Sequence, residues 1–191
     1  MQQELDKFKN HKIAPIIECV TKNYIGLSYL NFYFTLQNGI EDNCVLKQYD
    51  VKSLKLAKVN FERVIELSEK EFSDRVEIFQ AFSAYNLARA NRRLNRDANV
   101  EYNKAIEKRG ALSEVFCLPQ IFRLNFLLER IHAEIDYYDY MKEMQKIDLK
   151  TYIEKIENVR KELWSIKQTP VMDISLFKTL EKKLQSKIEK L

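Results

Sequence analysis

Three glycines and three prolines are all that the 191 residues contain, and that scarcity bounds the fold before any motif is considered. Tight turns between strands need residues that tolerate positive φ at fixed positions, so a sheet protein places glycine, asparagine and proline at each reversal. Long helices with few interruptions need very little such punctuation. The chain is therefore predicted to be all-α, with about seven helices.

The few breakers and the polar caps place those helices. Pro15 opens the first, which runs to about Gln37 and is capped by Asn38-Gly39. Residues 38–50 read as the longest loop, and a second helix spans about Val51 to Lys70. Ser73 caps a third that reaches about Asn95. Asp97 caps a fourth that ends at Gly110, with Lys108 and Arg109 at the negative end of its dipole. Pro119 opens a fifth to about Gln145, and Asp148 caps a sixth ending before Pro170. Asp173 or Ser175 caps the seventh, where Phe177, Leu180, Leu184, Ile188 and Leu191 form one apolar stripe. That stripe either closes the end of a helical stack or pairs with a second copy.

Length and charge narrow the class further. A chain of 191 residues can bury roughly 70% of its unfolded surface in a single domain without a disulfide or metal staple. Cys19, Cys44 and Cys117 are far apart and odd in number, so neither a disulfide framework nor a zinc knuckle is expected, and a reducing cytoplasm is. No leader pattern marks the start. The most apolar run, residues 24–36, is 13 residues long, short of the ~20 that span a bilayer, and reads as a core or interface helix, with pairing to a second copy open to it. Abundant Lys, Asn, Ile and Tyr point to an AT-rich bacterial genome.

Two segments share a pattern. "AKVNFERVIEL" at 57–67 and "ANVEYNKAIEK" at 98–108 align without gaps, with Ala57, Phe61 and Val64 matching Ala98, Tyr102 and Ala105. A small residue lets helices approach closely while the aromatic fills the space beside it. With Tyr85-Asn86-Leu87-Ala88 ahead of it, the stretch 85–108 resembles a tetratricopeptide-repeat hairpin, and "AKVNFERVIEL" resembles the second helix of an earlier motif. The sequence departs from that family in its short Ala88–Ala98 spacing, in the extra 38–50 segment and in lacking a proline after Lys108. The resemblance implies one domain, a right-handed stack of antiparallel helix hairpins. Its repeat core would span 16–110, with degenerate helices over 113–168 and a capping helix over 173–191.

Arg89, Arg92, Arg93 and Arg96 fall within an arc of about 100° on a helix, one basic stripe. Segment 85–110 carries five arginines and two lysines against three carboxylates, a net of +4 that equals the formal charge of the whole chain. In the resembling family the first helix of each motif lines the groove that receives partner peptides, which implies that Tyr85, Arg89, Arg92 and Arg93 face it. Guanidinium forks suit carboxylates and phosphates. An acidic protein segment is one partner such a stripe would take and a nucleic-acid backbone another. The plain alternative is a solvated face with an Arg93–Asp97 surface pair.

Little points to catalysis. His11 and His132 form no His-x-x-x-His or His-Glu-x-x-His pair, so no metal site is expected. Gly26, Gly39 and Gly110 stand alone, without a phosphate loop or nucleophile elbow. An enzyme would need a strongly perturbed group in a pocket near Glu134, Asp136 or Tyr137. The run 134–144, with Tyr137, Tyr138 and Tyr140 among carboxylates, suits an interface or ordinary helix packing equally. The expected function is a non-enzymatic, cytoplasmic adaptor without cofactor, an accessory subunit that binds a partner protein through Tyr85, Arg89, Arg92, Arg93 and Arg96. A nucleic-acid-binding accessory protein is the alternative.

Overall fold

A computed structural model describes residues 14–39, 44–70, 74–167, 169 and 174–189. Among these the chain is all-helical, with no strand and seven helices. They are α1 (Ala14–Gly39), α2 (Cys44–Lys70), α3 (Asp74–Arg93), α4 (Asn99–Glu114), α5 (Gln120–Glu143), α6 (Leu149–Ser165) and α7 (Ile174–Ile188). The described residues form two compact units, divided within α4 between Ala105 and Ile106.

Several helix ends differ from the sequence reading. α1 continues through Asn38 to Gly39, and α2 starts at Cys44, seven residues before Val51, because "CVLKQYD" contains no breaker. α4 does not stop at Gly110 but runs on to Glu114. A lone glycine weakens a helix interior by only about 1 kcal/mol, which the flanking residues can override. Ser175 lies inside α7 and is not its cap. Ser73, Asp173, Leu191 and His11 lie outside the described residues. The cap of α6 forms as expected, whereas Asp97 bonds the first turn of α4 from one residue before the cap position, which Ala98 takes by accepting the Tyr102 N–H at 3.1 Å. Asp148 accepts the Thr151 backbone N–H at 2.7 Å, and Asp97 accepts that of Asn99 at 3.2 Å.

In the first unit, α1, α2 and α3 pack on one another around Leu30, Leu54, Ala57, Phe61, Leu87 and Ala90. Gly26 makes the α1–α2 approach close: a Cβ built there would sit 2.7 Å from Phe61 Cε1. Cys19 is fully buried with Val64 and Leu67. Polar contacts fix the register, with buried Ser83 Oγ donating to Asn23 Oδ1 at 3.0 Å and Arg63 Nε donating to Glu18 at 2.8 Å. That bond raises the Arg63 pKa above its ordinary value.

In the second unit, α5, α6 and α7 enclose Leu128, Ile131, Ile135, Ile156, Leu163, Leu180 and Leu184. The α7 stripe is spent here: Phe177, Leu180 and Leu184 are buried and Ile188 packs against the same core. Those side chains are thus not available to pair with a second copy, because one helix stripe cannot face two cores. Ion pairs tie the same helices together. Lys183 meets Asp136, and Lys187 reaches Asp139 at 2.6 Å, while the Tyr152 hydroxyl donates to Asp139 at 2.9 Å.

Candidate functional site

The arginine stripe lies at the C-terminal end of α3, and the turn after it is set by the backbone. Asn95 has a φ of 53°. Its N–H bonds the Arg92 carbonyl at 3.2 Å, and the Arg96 N–H bonds the Asn91 carbonyl at 2.9 Å. This paired closure is a Schellman motif, with asparagine in the left-handed position that glycine usually takes. The chain then turns into α4, where Ala98, Tyr102 and Ala105 are fully buried, as Ala57, Phe61 and Val64 are on α2. Buried Asn91 donates to Glu101 Oε1 at 3.1 Å and so joins α3 to α4.

The five expected site residues do not share one environment. Tyr85 is only 5% exposed, and its ring meets Tyr102 edge-on at 6.4 Å. Arg89 is half-buried; its guanidinium lies 4.5 Å from the Phe34 ring centroid and 5.6 Å from that of Tyr85. Its Nη1 lies 3.5 Å from Asn86 Oδ1. Arg92 is half-buried, whereas Arg93 and Arg96 are exposed, Arg93 reaching the Phe34 ring at 5.9 Å. Arg89, Arg93 and Arg96 make no ion pair with a carboxylate among the described residues. The Arg93–Asp97 pair anticipated for a plain solvated face is therefore not formed. Phe34 was missed by sequence reasoning. Its signal was faint: an aromatic in an apolar run, far from the arginines in sequence.

Arg109 also departs from its expected role. Because α4 continues past it, the side chain is 1% exposed instead of sitting at a helix end. Its Nη1 donates to the Glu129 carbonyl at 2.7 Å, and Nη2 lies 3.5 Å from the Glu129 carboxylate. The basic charge of segment 85–110 is thus divided, part buried as structure and part presented around Phe34.

The carboxylate and tyrosine run on α5 is taken up by its neighbours. Tyr140 is buried. Glu134 lies 3.6 Å from Arg130, which also meets Glu162 of α6. Burial holds the Glu134 carboxyl above its ordinary range, only partly offset by Arg130, and it likewise raises the Tyr138 and Tyr152 hydroxyls. His132 Nε2 stands 4.0 Å from Asp136. Among the described residues no group of three His, Cys, Asp or Glu is placed to hold a metal ion, and no helix is long and apolar enough to cross a membrane. No protein-family model, curated protein or solved structure matches the chain.

Proposed function

We propose that the chain is a non-enzymatic adaptor, a degenerate stack of helix hairpins of the tetratricopeptide-repeat type, that binds an acidic segment of a partner protein. The binding groups are Arg89, Arg93 and Arg96, with Arg92 beside them and Tyr85 buried beneath as their support. The observation that carries this reading is the pairing of open guanidinium donors with a fixed aromatic base. Arg89 lies over Phe34 and Tyr85, and neither it, Arg93 nor Arg96 is matched by a carboxylate among the described residues. A guanidinium lying over a ring keeps its in-plane N–H groups pointed outward, ready for a bidentate carboxylate. The full burial of both small–aromatic triads supports a repeat origin for α2 and α4. The same reading makes the protein an accessory subunit of a larger cytoplasmic, bacterial assembly.

The test is a binding titration with a labelled hexaglutamate peptide and, separately, a single-stranded oligonucleotide. Arg93→Glu with Arg96→Glu changes only exposed side chains, so the fold is retained. The peptide is expected to bind the wild type and to lose about tenfold or more in the variant. Unchanged binding by the variant would sink the arginine reading. Oligonucleotide binding that is tighter than peptide binding, and that weakens steeply with salt, would favour nucleic acid as the partner.

A further inference from the structure

We infer that the groove between α6 and α7 is a second docking site, one that accepts a partner peptide presenting a single apolar side chain flanked by carboxylates. The groove encloses about 260 Å³ and is lined by Arg160, Trp164, Glu181, Lys182, Leu184 and Gln185. Small-molecule sites commonly enclose roughly 300–1,000 Å³, so this volume suits one inserted side chain better than a cofactor.

Trp164 is the anchor. The buried face of α6 is formed by Tyr152, Ile156, Val159 and Leu163. Trp164 comes one residue later, about 100° round the helix from Leu163, and is 51% exposed. The core therefore does not need its indole. The Arg160 guanidinium lies 4.8 Å from its ring and the Lys167 ammonium 5.8 Å. Tryptophan and arginine together are the residues that most often dominate binding energy at interface centres, where a ring fills a pocket and cations fix the orientation.

Charge selects the occupant. Lys167 pairs with Glu181 at 2.9 Å and Arg160 with Glu157 at 3.2 Å, and Glu189 accepts from the groove-lining Gln185 at 2.9 Å, so these three carboxylates are already engaged. Lys182 is exposed and has no partner among the described residues. Arg160 has five N–H donors, more than one carboxylate satisfies. A segment with carboxylates beside an apolar side chain complements this rim, whereas a basic segment would set its charges against Lys182 and Arg160. The site lies in the second unit and does not depend on the arginine stripe of α3.

Trp164 is the only tryptophan in the chain, so its emission reports on the groove without a label. The experiment titrates the full chain with the capped peptide Glu-Phe-Glu-Glu and, in parallel, with Lys-Phe-Lys-Lys and Glu-Ala-Glu-Glu. The first is expected to give a saturable change in Trp164 emission, with both comparison peptides weaker by about tenfold or more. Arg160→Glu with Lys182→Glu is expected to shift the midpoint for the first peptide by a similar factor, with circular dichroism confirming the helices. Lys182→Glu alone, at an exposed position, should give a smaller shift in the same direction. No saturable response, an equal response to the lysine peptide, or an unshifted midpoint in the double variant would each overturn the proposal.

Discussion

The two units solve the same packing problem with different side chains. In the first, seven alanines (Ala57, Ala81, Ala84, Ala88, Ala90, Ala98 and Ala105) are fully buried, with Phe61, Tyr85 and Tyr102 set among them. In the second, Ala133 is the buried alanine among the described residues, and the core is built mainly from leucine, isoleucine and valine, with Tyr152 and Phe177 at its edge. Alanine lets helix backbones come close, and the residual space then takes a flat ring; branched aliphatics hold helices further apart and fill the gap themselves. The second unit also pins its helices with partly buried ion pairs from α5 to α6 and α7. A close-approach core resists added atoms, whereas an aliphatic core with ionic ties is sensitive to lost partners.

That contrast makes its own tests. Phe61→Ala should have the largest effect, a loss of about 3–5 kcal/mol in denaturant unfolding, because it empties the space over Gly26. Ile156→Val in the second unit should cost only ~1 kcal/mol by the same measurement. Gly26→Ala adds one methyl against the Phe61 ring and should cost about 1–3 kcal/mol; a neutral result would break the close-approach account. Asp139→Asn, which weakens the acceptor shared by Lys187 and Tyr152, should lower the thermal midpoint by an amount equivalent to about 1–2 kcal/mol. Gln145 holds a φ of 54° at the end of α5, closed by Lys146 N–H to the Met141 carbonyl at 2.8 Å. Glycine tolerates that backbone freely, so Gln145→Gly should gain roughly 0.5–1 kcal/mol in the same unfolding measurement.

The smallest expected effect concerns pH and has a definite sign. Burial keeps the Glu134 carboxyl protonated to higher pH in the folded chain than in the unfolded one. Its contribution therefore falls as pH rises from the ordinary glutamate range through the raised value, and Glu134→Gln should remove that fall. Asp148 has the opposite sign. The Thr151 N–H lowers its pKa, so its contribution is present above the ordinary aspartate range and is lost as pH drops through the lowered value. Stability measured across the acid range on Glu134→Gln beside wild type checks the first of these.

What was legible in the sequence was local. Pro119 before α5, Asp148 at the head of α6 and the buried stripe of α7 follow from neighbours within one helical turn. The ends of α3 and α5 fall within two residues of the expected Asn95 and Gln145, although both of these occupy a conformation usually signalled by glycine. Gly26 and Gly110 instead lie within helices, Gly26 under an aromatic ring and Gly110 beside the Arg130 side chain. Features that depend on two helices meeting could not be read from one of them. Arg109 reads as a dipole partner and is buried against α5; Arg89 reads as a groove-facing binding group, and nothing in its own helix shows that it lies over Phe34 of α1. Trp164 carries no signal of its own, since a lone tryptophan on an amphipathic helix is ordinary until its neighbours are known.

The burial of Cys19 gives this chain a natural clock. In α1 its thiol is screened from solvent by the packing of Val64 and Leu67, whereas Cys117 is exposed. A thiol reagent can therefore reach Cys19 only during transient openings of that packing. In a background with Cys44→Ser and Cys117→Ser, the rate of its modification, compared with that of the unfolded chain, gives the free energy of opening under fully native conditions. The breathing of the alanine-rich half could then be timed without denaturant, one thiol at a time.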